Sequence, residues 1–248
     1  MSNTDSKNKA VTVTCPVGKK LIGAGGDIIP SSGPAEVTLH QIRPNSSLTS
    51  VRLQALEIQG NSGVIWRLDA VAMCADPPPG LQRVLVTSPS DSLDKSVSAT
   101  CPGNTQLLDA AGAVTGGQNQ VSLNDVAVEK GLKTATVRAL EDQDGTNDVW
   151  AVTAYAICAD PIVGLSRVVA ESSNNSPDTE LAICPDTMVV TGGGGAIGGG
   201  DGRVGLSELN PLQTTGDPGG FRVGALADVH GNVGHWFLRA LAICAPSG

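Results

Sequence analysis

The chain has 248 residues, with 24 acidic and 16 basic side chains and a formal charge of −8 at pH 7. That balance argues against a protein that holds nucleic acid or an anionic membrane through a broad basic face. Its 31 glycines and 15 prolines, with only three Trp, two Phe and one Tyr, favour strands and turns over helices. It has no apolar run of about 18 residues, the length that would span a bilayer.

Residues 1–10 form a polar N-terminal segment without a hydrophobic signal core, so we expect export to use a signal outside this sequence or another route. Three similar β repeats follow, which we place at residues 11–93, 94–178 and 179–248. The first cysteine of each repeat lies 86 and then 83 residues after the previous one (101−15 and 184−101). The polar connections between repeats are short, which favours repeats packed as one domain.

Each repeat opens with a strand that ends at Cys-Pro, because proline bends the chain and donates no ladder hydrogen bond. A glycine-rich second strand and then two further strands follow in the same order. The predicted strands span 11–15, 21–28, 37–42 and 51–56; 97–101, 107–114, 121–126 and 137–140; and 181–184, 189–197, 204–209 and 222–226. A hairpin turn rich in Gly, Asn and Asp comes next in each repeat, at 59–61, 144–147 and 230–232.

A strand running from Trp to Cys then closes every repeat, at 66–74, 150–158 and 236–244. Every second residue is drawn from a narrow apolar set, which is the period of a strand with one buried face. We therefore predict that Trp66, Trp150 and Trp236 belong to the core, although three indoles could also form a platform for stacking sugars. Repeats one and two continue as Cys-Ala-Asp-Pro-x-x-Gly-Leu-x-Arg-Val into a further strand.

A glycine stands eleven residues after the first cysteine of each repeat, at Gly26, Gly112 and Gly195. Glycine weakens a strand unless another part of the chain approaches too closely for a side chain. These positions therefore predict close packing between strands. The runs Gly192–Gly195 and Gly198–Gly200 also suggest a phosphate loop, but neither is followed by Lys-Ser/Thr or by a helical pattern.

The six cysteines fall into three pairs with nearly equal separations of 59, 57 and 60 residues: Cys15/Cys74, Cys101/Cys158 and Cys184/Cys244. An even number tied to a repeat predicts disulfides and an oxidising compartment, whereas zinc sites need closer Cys or His clusters. Two connectivities respect the repeat. We favour bonding within each repeat over the alternative, Cys74–Cys101, Cys158–Cys184 and Cys15–Cys244.

The sequence resembles a Cys-bounded, glycine-rich β repeat of secreted and surface proteins of Gram-positive soil bacteria, including the heads of bacterial collagen-like proteins. The resemblance is carried by Cys15-Pro16-Val17-Gly18, the stretch 23–26, Trp66 and Ala72-Met73-Cys74-Ala75, with their counterparts. Repeats two and three depart from Cys-Pro-x-Gly. A looser similarity to the β-prism of vitelline membrane outer layer proteins implies three sheets around an axis, and neither resemblance implies catalytic residues.

Candidate catalytic and metal-binding groups are few. His40 aligns with Asn124 and Ser207, and no Gly-x-Ser-x-Gly or His-Glu-x-x-His motif is present, so we predict no enzymatic activity. Asp142, Asp144 and Asp148 place oxygens at alternate positions of a predicted hairpin tip. They are a candidate Ca²⁺ site, although a solvated turn is the simpler interpretation and we expect no other cofactor.

We predict an all-β protein with three pseudo-repeats around a pseudo-three-fold axis, similar to a β-prism, with three tandem small β-sandwiches as the alternative. The expected function is a secreted or cell-surface recognition or adhesion module. Its expected partner is a surface glycan or another surface protein, with no nucleic acid and no transmembrane segment. A structural component of a coat, matrix or appendage is the second hypothesis, and a membrane-acting toxin component is the third. The sequence predicts neither the ligand-binding residues nor the oligomeric state.

Overall fold

The structure, a computed structural model, describes residues 1–31, 37–58, 63–117, 119–142, 145–172, 179–200, 202–213, 219–227 and 234–247. These residues form seventeen β-strands and no helix, which confirms the all-β prediction. The search for membrane-spanning helices accordingly finds none in the described ranges. The predicted turns at 59–61 and 230–232, and Asp144, lie outside the described residues.

The strands follow the predicted order, and the predicted extra strand after repeats one and two is also present. Repeat one contains β1 (Lys9–Thr14), β2 (Lys20–Pro30), β3 (Val37–Pro44), β4 (Ser50–Glu57), β5 (Trp66–Ala75) and β6 (Gln82–Thr87). Repeat two contains β7 (Lys95–Thr100), β8 (Gln106–Gly116), β9 (Val121–Val128), β10 (Thr134–Glu141), β11 (Trp150–Ala159) and β12 (Ser166–Glu171). Repeat three contains β13 (Thr179–Ile183), β14 (Met188–Gly199), β15 (Val204–Leu212), β16 (Gly220–Ala227) and β17 (Trp236–Pro246).

The strands assemble into three antiparallel sheets, each built from two repeats. Sheet 1 has the order β1-β4-β3-β8-β11-β6, sheet 2 has β7-β10-β9-β14-β17-β12, and sheet 3 has β13-β16-β15-β2-β5. In every sheet the first, fourth and third strands of one repeat meet the second and fifth strands of another. The repeats are therefore interleaved, and they do not form three separate sandwiches.

A bulge recurs in the third strand of each repeat and explains a polar pattern in the sequence. The register shifts at His40, Asn124 and Ser207, which are extra residues in their strands. All three are buried, with 4%, 1% and 8% of their surface exposed. A bulged residue leaves the regular alternation of the strand, so it can turn a polar side chain inward where the pattern otherwise requires an apolar one.

Three disulfides join the sheets to one another: Cys15–Cys74, Cys101–Cys158 and Cys184–Cys244. This confirms the pairing within each repeat. Each first cysteine directly follows the outermost strand of one sheet, and its partner lies in the fifth strand of another. In the chain-entropy model, closing a loop of about 60 residues stabilises the fold by roughly 4 kcal/mol per bond.

Gly26, Gly112 and Gly195 lie at points where an adjacent strand comes very close to the glycine backbone. A Cβ atom added at Gly26 would lie 2.3 Å from the carbonyl oxygen of Asp69. At Gly112 and Gly195 it would lie 2.7 Å and 2.5 Å from methyl groups of Val137 and Val223. Larger residues at these positions would force the strands apart.

Candidate functional site

An arginine-lined depression lies on sheet 1, beside the turn that joins β3 to β4. Its volume is about 340 Å³, which falls in the range of small-molecule sites, roughly 300–1,000 Å³. Three basic side chains and several small polar groups line it: Arg43, Pro44, Asn45, Ser46, Ser50, Arg52 and Arg83. A basic depression stands out on a chain with a net charge of −8.

The turn beneath the depression is held by the side chain of Asn45. Its Oδ1 accepts the backbone N–H groups of Thr49 at 2.8 Å and Ser50 at 3.3 Å. Leu48 takes a left-handed conformation with φ of 51°, and its side chain is buried. An asparagine side chain that accepts backbone hydrogen bonds is a common way to close a tight turn. The turn keeps β3 and β4 in register up to their ends.

That register places Arg43 directly opposite Arg52 on the adjacent strand. Like charges directly opposite in an antiparallel pair destabilise the sheet, by an amount comparable to the stabilisation that opposite charges give. Nη1 of Arg52 donates to the side-chain oxygens of Gln41 and Gln54, at 3.1 Å and 3.2 Å. These amides orient the guanidinium but do not neutralise it.

Arg83 reaches the depression from a strand that lies three places away in the sheet. Its Nη1 donates to the carbonyl oxygen of Pro44 at 2.6 Å, and its guanidinium lies 5.5 Å from the centre of the Tyr155 ring. Both contacts hold a half-buried guanidinium in one orientation. Within the described residues, none of Arg43, Arg52 and Arg83 forms an ion pair with a carboxylate.

The corresponding positions of the other two sheets do not reproduce this cluster. In sheet 2, Ala127 pairs with Thr136 where sheet 1 pairs Arg43 with Arg52. In sheet 3, Asn210 pairs with Arg222, whose Nε donates to Glu208 at 2.6 Å. Among the described residues, sheet 1 alone therefore carries a basic cluster without a counter-ion at these positions. The arrangement can bind a carboxylate or sulfate, since an arginine presents paired N–H donors that match two oxygens of such an anion.

The three tryptophans lie inside the protein and do not form an exposed platform. Trp66 and Trp150 are fully buried, and Trp236 is 3% exposed. Lys9 and Lys95 lie over the first two rings, with Nζ at 4.2 Å and 3.9 Å from the ring centres. The matching position of repeat three, six residues before Cys184, is Asp178, which lies outside the described residues.

The predicted calcium loop shows contacts typical of a turn. The backbone N–H of Gly145 donates to Oδ1 of Asp142 at 3.1 Å, and that of Asp148 donates to the Thr146 hydroxyl at 3.0 Å. Asp144 lies outside the described residues. No group of three or more His, Cys, Asp or Glu side chains suited to a metal is found within the described part of the chain.

The two described histidines lie in different parts of the fold, His40 in β3 and His235 just before β17. Burial lowers the pKa of His40 to about 4, so this side chain is neutral at pH 7. His235 lies exposed beside the start of β17, and His230 falls outside the described residues. The described histidines therefore show no constellation with a nucleophile.

Asp109 is an internal residue that the sequence analysis did not single out. Its carboxylate is fully buried and accepts N–H groups from Ala24 of sheet 3, at 3.0 Å, and Gly193 of sheet 2, at 2.9 Å. Burial raises the pKa of Asp109 well above its usual range, whereas the hydrogen bonds lower it. A single side chain thus connects the three sheets.

The arginine cluster was also missed, because its members come from separate parts of the repeat. An antiparallel register between the third and fourth strands would have predicted that Arg43 lies opposite Arg52. Arg83 belongs to the strand between repeats, and nothing in the sequence shows which sheet that strand joins. No family model matches the chain, and no curated protein is significantly similar to it.

Proposed function

We propose that this protein is a non-enzymatic, extracellular recognition module that binds acidic glycans in the arginine depression of sheet 1. The observation that carries the proposal is the cross-strand pair Arg43–Arg52, joined by Arg83, with no ion-paired carboxylate among the described residues. The two like charges destabilise the empty sheet, and a bound anion would reverse that effect.

The remaining lining groups suit a sugar. Ser46 and Ser50 place short hydroxyl side chains beside the guanidinium groups, while the side chain of Asn45 is occupied in the turn. Such groups exchange hydrogen bonds with hydroxyls, while the arginines take the acidic substituent. Polar groups of this kind fix the orientation of a ligand in a shallow site. Carboxylate and sulfate share the necessary chemistry, so uronic or sialic acids and sulfated sugars are the candidate ligands.

The interleaved sheets support the finer architecture that we propose for the module. Each sheet shares strands between two repeats, and each disulfide joins two different sheets. We therefore propose three sheets around a pseudo-three-fold axis, as the looser similarity to the β-prism of vitelline membrane outer layer proteins implies. Three disulfides also fit secretion or a cell-surface location, because such bonds persist in oxidising compartments.

The experiment measures binding of three matched oligosaccharide sets by calorimetry: neutral, uronic-acid and sulfated. We expect binding of at least one acidic set and none of the neutral set. Replacing Arg43→Ala or Arg52→Ala should weaken it by roughly 10- to 100-fold, since a charge-assisted hydrogen bond contributes about 1.5–3 kcal/mol. The uronic and sulfated arms identify which anion the site prefers.

The matched control is Arg138→Ala, which removes one positive charge from the exposed face of sheet 2. This variant should bind like the unmodified protein. An equal loss in Arg138→Ala would show general charge attraction and overturn the proposal. So would the absence of binding in every arm. Assembly of the protein into fibres or lattices without any ligand would then support the structural hypothesis.

A further inference from the structure

The indole N–H groups of repeats one and two donate to a glutamate that stands nine residues earlier in the chain. Nε1 of Trp66 donates to Oε1 of Glu57 at 3.4 Å, and Nε1 of Trp150 donates to Oε1 of Glu141 at 2.8 Å. In both cases the two residues belong to different sheets, since β4 and β5 lie in sheets 1 and 3, and β10 and β11 in sheets 2 and 1. Each of these bonds therefore joins two sheets through a charge-assisted contact.

Repeat three has an alanine at the position of these glutamates. Ala227, at the end of β16 in sheet 3, stands nine residues before Trp236, which begins β17 in sheet 2. The Trp236 side chain is buried, and its Nε1 has no hydrogen-bond acceptor among the described residues. Buried polar groups almost always have a partner. The third indole therefore presents a donor that the described part of the fold leaves unsatisfied.

The sequence that precedes the first strand also differs in repeat three. Residues 5–9 and 91–95 read Asp-Ser-Lys-Asn-Lys and Asp-Ser-Leu-Asp-Lys, whereas residues 174–178 read Asn-Asn-Ser-Pro-Asp. The last lysine of the first two stretches lies over the indole ring, with Nζ at 4.2 Å and 3.9 Å from the ring centres. At the matching sequence positions, repeat three thus has neither the glutamate nor the lysine that complete the surroundings of the other two indoles.

The residues beside Trp236 are more accessible than their counterparts. Leu56 and Leu140, which precede the two glutamates, are 9% and 5% exposed, whereas the equivalent Leu226 is partly exposed, as is Ala227. We name Leu226, Ala227 and Trp236 the Trp236 corner. Its indole needs an acceptor, and the acceptor at both equivalent positions is a carboxylate. The side chains of Leu226 and Ala227 offer apolar contacts to the carbon atoms that carry such a group.

We propose that the Trp236 corner binds the carboxylate of a small aliphatic acid, whose oxygen accepts the indole N–H in the way that Glu57 and Glu141 do in the other repeats. An anionic acceptor is favoured over a neutral one, because a hydrogen bond to an ionised group is about twice as strong. This site joins sheets 2 and 3, so it is independent of the arginine depression on sheet 1 and does not rest on the function proposed for it.

The test follows the three indole N–H signals of the full chain, labelled with ¹⁵N-tryptophan, by nuclear magnetic resonance at pH 7. Sodium propionate is the probe, with propionamide and sodium chloride as neutral and ionic controls. A Trp236→Phe variant assigns the third signal by its disappearance. We expect propionate alone to move the Trp236 signal downfield, with saturation in the millimolar range, and the Trp66 and Trp150 signals to stay in place. An unchanged Trp236 signal, or an equal response to propionamide, would overturn the proposal.

Two variants at one position separate loss of the site from loss of folding. Ala227→Glu supplies the internal acceptor, so the Trp236 signal should move downfield without a probe, and propionate should bind about tenfold or more weakly. Ala227→Leu covers the indole edge without an acceptor, so the response to propionate should be lost and the signal without a probe should stay close to its original position. A folded Ala227→Glu variant that responds to propionate like the unmodified chain would contradict the assignment.

A reciprocal variant tests whether the same chemistry can be transferred to repeat two. Glu141→Ala removes the acceptor of Trp150 and leaves an alanine where repeat three has Ala227. The Trp150 signal should move upfield and become sensitive to propionate, while the Trp236 response is unchanged. A Trp150 signal that stays insensitive in the folded variant would show that an alanine at this position does not create a carboxylate site, and would overturn the proposal.

Discussion

The outer faces of sheet 1 and sheet 3 are built from equivalent strands but carry opposite charge. Sheet 1 presents Arg43, Arg52 and Arg83 around a depression, whereas sheet 3 presents Asp27, Asp69 and Glu208 in a row. The buried faces of both sheets are apolar. The comparison teaches that the core constrains one side of each strand, while the solvent-facing side of the same backbone is free to take different charges and different ligands.

The largest effect on stability is expected at Asp109, the buried residue that connects the three sheets. Asp109→Ala leaves the N–H groups of Ala24 and Gly193 without their acceptor in the interior. Each orphaned group costs about 1–3 kcal/mol, so the loss should be several times that of a surface change. Urea denaturation would measure it. A change below about 0.5 kcal/mol, the scale of an ordinary surface substitution, would show that Asp109 does not connect the sheets.

The acidic row of sheet 3 should destabilise the protein at neutral pH. Burial, together with the negative charge of Glu208, raises the pKa of Asp27 from 3.8 to about 6. The folded state then binds more protons than the unfolded state between these values, so stability falls as the pH rises from about 4 to 6.

Asp27→Asn should therefore raise the unfolding free energy at pH 7 by less than about 3 kcal/mol, the equivalent of the full shift from 3.8 to about 6, because solvent screens this half-exposed carboxylate. The gain should disappear below pH 4, where Asp27 is protonated in both states. Denaturation at pH 3.5 and pH 7 tests this, with the exposed Asp76→Asn as the control. A gain that is equal at both pH values would contradict the proposed cause.

A smaller loss of stability is expected from replacing Lys95, which lies over the buried Trp150 ring. Lys95 is nearly buried, and its Nζ lies 3.9 Å from the Trp150 ring centre and also bonds to Asp91. Lys95→Thr removes the ammonium group and leaves a side chain too short to reach the ring. We expect a loss of roughly 1–3 kcal/mol in unfolding free energy, because the cation–π contact and the buried hydrogen bonds are removed together. An unchanged unfolding free energy would mean that these contacts of Lys95 do not stabilise the fold.

The smallest effect on stability should come from the arginine pair itself. The double change Arg43→Ala with Arg52→Thr converts this pair into the Ala127–Thr136 pair of sheet 2. Relief of the repulsion should raise the unfolding free energy by about 0.2–1 kcal/mol, while binding of acidic glycans is lost. Denaturation and calorimetry on the same sample test both. Loss of stability together with binding would mean that the arginines are structural.

The sequence was sufficient for the parts of this protein that depend on local patterns. The alternation from Trp66 to Cys74, the Cys-Pro stops and the matched cysteine spacings identified the strands and the disulfides, because period and spacing reflect contacts that are near in sequence or closed by covalent bonds. The sequence could not show how strands from different repeats share a sheet, since such pairing depends on non-local packing.

Only the tertiary structure placed Arg83 beside Arg43, and Asp109 between three sheets. Both features join residues from different strands, and the contacts of Asp109 join all three repeats. The physical reason is that an alternating strand pattern specifies which side is buried but not which strand lies next to it. The core could be derived from the repeat, whereas the candidate site and the contacts of Asp109 depend on which strands became neighbours.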